Sequence, residues 1–289
     1  MSMPAQVAAP PAGGAWAAPL RRLKREKLGL AGLGFIGLLV VVALLAPWIA
    51  PYDPTVQNLN NVLQPPGWAH LAGTDELGRD IFSRLVWGSR ITLQIVGTVT
   101  LIIGPIGLLI GVVAGYCGGR VDAVLMRATD IVLSFPSLVL ALAFAAALGA
   151  GLGTAIVAIS LTAWPSIARL ARAETLVVRQ AEYIAAARLY GASHLRLIGL
   201  YVMPMCIPSV IVRITLNMAG IILTAAGLGF LGLGAQPPMP EWGAMLSVGR
   251  QNLSAWWLSA APGLAILLTS LAFNLFGDGL RDVLDPRSE

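Results

Sequence analysis

Lysine occurs only at positions 24 and 27, histidine only at 70 and 194, and cysteine only at 117 and 206 of the 289 residues. With both lysines in one N-terminal basic run, a phosphate-cradling loop of the form G-x-x-x-x-G-K-[ST] is excluded, so any ATP-driven process needs another chain. Two cysteines are too few for a disulfide framework and are read as reduced packing residues near helix ends. Charged residues make up 11% of the chain against about a quarter in an ordinary globular domain. With 57% hydrophobic residues and a mean hydropathy of +0.78, a soluble fold of this length has no means of hiding its apolar surface. The pI of 9.7 does not indicate nucleic acid, because the basic residues form short clusters between apolar runs and not a stripe with interleaved aromatics.

What remains is an all-α integral membrane pattern. A bilayer core of about 30 Å needs roughly 20 apolar residues per helix, and six segments supply them: 28–48, 91–115, 131–148, 154–172, 208–232 and 255–276. The third and fourth form one uncharged run, divided at Gly149 to Gly153, where glycine density suits a tight turn. The apolar stretch after Lys27 exceeds a signal-peptide core and lacks a small-x-small cleavage site, so it is read as a retained anchor. Gly107, Gly111 and Gly115 share one face, the small-xxx-small pattern of closely packed membrane helices.

Six crossings put both termini on one side. With the N-terminus inside, fourteen Lys and Arg fall on the cytoplasmic side and four (Arg79, Arg84, Arg90, Arg250) outside, which sets the orientation. The expected organisation is a disordered basic segment 1–27, a first transmembrane helix 28–48, an extracytoplasmic loop 49–90, a five-helix core 91–276 with an internal loop 173–207, and a cytoplasmic C-terminus 277–289. A second external loop spans 234–254. The two histidines fall on opposite sides of the membrane, so neither a Ser/His nor a Cys/His pair can form, and no metal-ligand spacing is present. The spans are nearly free of charge, unlike those of a self-contained ion-driven carrier. Arg213 is open to three readings, a side chain snorkelling to the cytoplasmic face, part of a translocation path, or a pairing with another subunit. Asn217 and Asn274 either line that path or hydrogen-bond between helices. Asp75, Arg79, Asp80 and Arg84 either meet another chain or pair among themselves within the external loop.

The internal loop holds Glu182-Tyr183-Ile184-Ala185-Ala186-Ala187, then Gly191-Ala192, and ends at Tyr201-Val-Met-Pro204. Its alanine-rich part is predicted helical, with Gly191 as the stop. This resembles the EAA loop of ABC importer permeases, with Ala185 in place of the motif's acid. Gly73-Thr-Asp-Glu-Leu-Gly-Arg-Asp80, Phe82-Ser-Arg84, Gly115-Tyr-Cys-Gly-Gly-Arg-Val-Asp122, Phe230-Leu-Gly-Leu-Gly234 and Phe276-Gly-Asp-Gly-Leu-Arg-Asp-Val-Leu-Asp-Pro286 narrow the similarity to C-type permeases of the dipeptide, oligopeptide and nickel group. The resemblance implies a type I permease fold, no catalytic site or cofactor in this chain, and a heterodimer with a second permease. It further implies two ATP-binding subunits holding ATP and Mg, and an extracytoplasmic solute-binding protein. The loop around Ala185 to Gly191 would couple ATP hydrolysis to transport. Peptides are favoured over nickel as cargo, since the spans offer few metal ligands.

Overall fold

The computed structural model describes residues 26–284. The basic run up to Arg25 and the last five residues lie outside this range, so the expected disorder of 1–27 is addressed only at its end. Among the described residues the chain is helical, with a lone bridge between Thr74 and Asp80 as its sole β-type pairing. The helices are α1 (Lys27–Leu44), α2 (Ala46–Ile49), a 3-10 turn at Leu59–Asn61, α3 (Ile81–Cys117), α4 (Gly119–Leu133), α5 (Ser137–Leu148), α6 (Leu152–Val178), α7 (Glu182–Leu189), α8 (His194–Leu197), a π-turn at Ile198–Val202, α9 (Met203–Phe230), α10 (Trp242–Gln251) and α11 (Trp257–Leu284).

Five stretches are long and apolar enough to cross a bilayer: α1, α3, α6, the run from His194 to Phe230, and α11; α4 with α5 makes a sixth only as a pair bent by 90°. This corrects the straight span expected over 131–148. Residues 131–133 close α4, Pro136 cannot continue a helix from Ser134, and α5 alone, at about 18 Å, is too short to cross unaided. The division in the glycine run holds: α5 ends at Leu148, Gly149 takes φ +91°, and α6 starts at Leu152.

The second crossing is longer than its apolar core. Asp80 caps α3 by accepting the Ser83 amide at 2.8 Å, so the helix begins ten residues before the expected 91 and spans about 55 Å. Its inner end stops at Gly118 and Gly119, both at positive φ. The external stretch 234–254 is likewise partly helical, since Glu241 caps α10 through the Gly243 and Ala244 amides. The last expected span, 255–276, runs as α11 past residue 276 to Leu284.

Helix packing follows the glycines. A Cβ on Gly107 would lie 2.7 Å from Ile167 Cβ, one on Gly111 2.6 Å from Ala171 Cβ, and one on Gly115 2.7 Å from Thr175 Cβ, so α3 meets α6 backbone to backbone along this face. Gly29 and Gly279 bring α1 against α11 in the same way. Cys206 is buried against Thr175, whereas Cys117 is exposed at the α3 end and is not a packing residue.

Candidate transport path, coupling loop and external cap

The external loop folds inward on a polar core. Arg79 Nε donates to Asp75 Oδ2 at 2.7 Å, Arg84 Nε lies 3.7 Å from the same oxygen and donates through Nη1 to the Pro54 carbonyl at 2.8 Å, and His70 pairs with Asp80 at 2.9 Å. All five side chains are buried. Asp75, Arg79, Asp80 and Arg84 therefore pair with one another and with this loop, and do not present themselves to another chain; a surface for a partner has to come from the exposed rim, where Trp68 is fully exposed. His70 belongs to this network, an assignment its type and spacing did not suggest. Asp75→Ala leaves two buried guanidinium groups without their counter-charge and is expected to cost about 3–5 kcal/mol. Thermal unfolding of the solubilised protein reads this, with exposed Asp53→Ala, which loses only its local bonds to Thr55, as the small-effect comparison.

α10 closes the cap. Trp242 Nε1 donates to the Leu85 carbonyl at 3.1 Å, tying α10 to the outer turn of α3. Glu241 is 3% exposed, and burial raises its carboxyl pKa above the ordinary 4.5, only partly offset by the Gly243 and Ala244 amides. A carboxyl with a raised folded-state pKa contributes most stability below its unfolded value. That contribution is lost as pH climbs from about 4.5 through the folded pKa. The unfolding temperature of the cap is expected to fall across this interval, and Glu241→Gln to flatten the slope.

At the opposite end of the bundle, α7 is anchored by one side chain. Ile184 is fully buried with Val112, Val202 and Cys206, at the inner ends of α3 and α9. Glu182, Ala185, Ala186 and Leu189 form the exposed face of the helix, at i, i+3, i+4 and i+7. Tyr183 is also exposed, Ala187 and Ala192 are half-buried, and Gly191 ends the helix at φ +79° with open space around it. His194 is exposed and bonded: its Nδ1 is 3.0 Å from Tyr116 Oη, and the Arg188 guanidinium lies over the Tyr116 ring at 5.6 Å. The π-turn explains the hydrophobic-x-x-Pro ending. The Met203 amide bonds back to the Ile198 carbonyl, and Pro204, which lacks an N–H, starts α9 where none is needed.

Between α5, α6 and α9 lies an open cavity of about 300 Å³. Its polar lining is Ser137, Thr162, Ser166, Arg213, Asn217 and Thr224. Asn217 Nδ2 donates to Ser166 Oγ at 3.0 Å, so this residue both bridges helices and faces the cavity. Asn274 is exposed on α11 and is not part of the lining. The acids nearest the inner helix ends are engaged elsewhere: Asp122 by Arg172 at 2.5 Å, Asp130 by Arg169 at 2.7 Å. Among the described residues no three His, Cys, Asp or Glu side chains come together as a metal site would require.

The chain is similar to known proteins along most of its length. Residues 107–289 match the family model of the binding-protein-dependent transport system inner membrane component, and residues 14–66 match the N-terminal TM domain of oligopeptide transport permease C. It is 48% identical to the probable D,D-dipeptide transport system permease protein DdpC of Escherichia coli K12, covering 92% of this chain and 90% of that one. It is 47% identical to the di/tripeptide transport system permease protein DppC of Pseudomonas aeruginosa UCBPP-PA14, covering 91% and 89%. An inward-facing structure of the MetNI methionine ABC transporter aligns with a TM-score of 0.56 at 21% identity, covering 69% of this chain and 96% of that one, a likeness of fold. The helical bundle, the bent third crossing and these matches together show that the chain belongs to the binding-protein-dependent transport system inner membrane component family, as a multi-pass permease subunit of an ABC importer.

Proposed function

We propose that this chain and a second permease together line the path of an ATP-driven importer of di- or oligopeptides. The observation that carries the reading is the pairing, in one chain, of an open cavity of mixed polar and apolar lining between α5, α6 and α9 with a helix, α7, that is anchored through Ile184 and whose small-residue face is bare. The cavity is open on one side, as half of a shared path must be. The bare face of Glu182, Ala185, Ala186 and Leu189 is the surface on which an ATP-binding subunit docks. Two such subunits hold ATP and Mg, and a solute-binding protein delivers cargo to the external cap. The fourteen-to-four distribution of Lys and Arg supports cytoplasmic termini. ATP-driven closure of the ATPase pair then moves α7, and through Ile184 and Tyr116 the inner ends of α3 and α9, as a rigid-body change between inward- and outward-open states.

Peptides are favoured over nickel because the relatives with peptide-transport names are nearly half identical, and because the cavity is lined by hydroxyls, an amide and a guanidinium, none of them a preferred nickel ligand. Uptake of labelled di- and tripeptides is expected to fall to background in cells lacking this chain and to return on its re-expression, with nickel uptake unchanged. Lost nickel uptake with intact peptide uptake assigns the cargo the other way.

A further inference from the structure

One fixed charge faces the cavity, and it is Arg213. It lies on α9 with Asn217 and Thr224 four and eleven residues further along the same face, opposite Thr162 and Ser166 of α6. Among the described residues no carboxylate lies within ion-pairing distance of Arg213, while Asp122 and Asp130 are taken by Arg172 and Arg169, and Glu174 by the Ser209 hydroxyl at 3.0 Å. An uncompensated charge within a membrane span is costly, and such groups mark ion or substrate pathways.

Resting on the peptide-importer reading, we propose that Arg213 receives the terminal carboxylate of the peptide during transit. A short peptide is a zwitterion, and its carboxylate loses hydration on entering an apolar bundle. A guanidinium offers a planar fork of donors matched to a carboxylate and replaces that hydration with two charge-assisted hydrogen bonds. The hydroxyls of Ser166 and Thr224 donate to the Ala163 and Gly220 carbonyls of their own helices at 3.2 and 2.8 Å, so what they offer the peptide is a lone pair for its N–H groups. From Arg213 to Thr224 the helix rises about 16 Å, and an extended tripeptide spans about 10 Å, so the cargo fits along this face. Arg213 sits ten residues from Met203, toward the end of α9 that carries the coupling loop, so the carboxylate end leads.

The test uses the full complex with its binding protein in proteoliposomes. Arg213→Gln is expected to lower the maximal rate of dipeptide uptake about tenfold, the loss of one charge-assisted contact. Half-saturation, set by the binding protein, and the stimulation of ATP hydrolysis by loaded binding protein should both be retained. Arg213→Lys should recover most of the rate. The double variant Arg213→Gln/Asn217→Arg moves the cation one turn along the cavity and should restore uptake in part, which a purely structural arginine would not allow. Wild-type rates in Arg213→Gln overturn the proposal. So does loss of ATPase stimulation that the moved charge fails to rescue. An effect seen only in vesicles containing anionic lipid, and absent in purely zwitterionic ones, reassigns Arg213 to a lipid headgroup and overturns it too. A wild-type complex that carries no peptide refutes the function itself, an outcome separate from all of these.

Discussion

Replacing Ala186 with tryptophan is expected to abolish peptide uptake while the permease pair and its ATPases remain assembled in the membrane. Ala186 lies on the bare face of α7 beside Ala185, and a methyl group is all that this face offers to a docking surface at that point. On the proposed docking mode, an indole there would hold the helix off the ATPase surface. A central interface change of this kind costs up to about 4 kcal/mol, roughly a thousandfold in local docking. ATP hydrolysis should then no longer rise with loaded binding protein. The helix itself is not at risk, because its fold depends on Ile184 from the opposite side. Gly191→Ala is the instructive milder case: it meets no neighbour, so only the positive φ opposes it, at about 1 kcal/mol. Ordinary uptake by the Ala186 variant, at normal expression, would remove α7 from the coupling role.

Gly111→Val is expected to prevent the folded permease from accumulating at all. A Cβ at this position would run into the Ala168 carbonyl and lie 2.8 Å from the Arg172 amide, both backbone atoms that no rotamer change can move. The helices α3 and α6 would have to separate along the whole Gly107–Gly115 face, exceeding the usual overpacking cost of about 1–3 kcal/mol. The comparison is Gly97→Val on the same helix, where the added Cβ has no neighbour within 4 Å. Membrane-fraction immunoblots and size-exclusion profiles should show the first variant degraded or aggregated and the second monodisperse. Equal yields would mean that α3 and α6 pack less closely than these distances state.

The readable parts of this fold were those in which a single physical signal dominates. Uncharged runs marked the crossings, glycine density at 149–153 marked the turn, and the glycines at 107, 111 and 115 marked the face that meets α6. Hydropathy placed the outer end of α3 ten residues late, because Arg84 and Arg90 look like loop residues. The signal that would have corrected it was Asp80 followed three residues later by Ser83, an N-cap ahead of an apolar run. The right-angled break at Ser134 to Pro136 was equally visible as a proline, but its bend is set by packing of α4 on α3 and α6 and by the Asp122–Arg172 and Asp130–Arg169 pairs, contacts 50 and 39 residues apart. In the coupling loop, the exposed alanines were legible from their similarity to a known motif. The roles of Ile184, Tyr116 and His194 were not, since they depend on long-range neighbours that no local pattern encodes.

The length of α3 has a mechanical meaning. Its outer turn is held by Trp242 and by the Arg84 network, and its inner turn holds the internal loop through the Tyr116–His194 bond, so one continuous helix joins the external cap to the internal loop. Pro105 withdraws one backbone donor about two thirds of the way along, leaving the Leu101 carbonyl without its usual partner four residues on, and this marks the natural pivot. Tilting the helix by about 5° about that point swings its inner tip, about 18 Å away, by roughly 1.5 Å and its outer tip, about 36 Å away, by roughly 3 Å, the scale of helix shifts in switching proteins. On the proposed mechanism, loading at the outer cap and nucleotide closure at the inner face would need no relay of side chains between them, because both would act on opposite ends of the same helix.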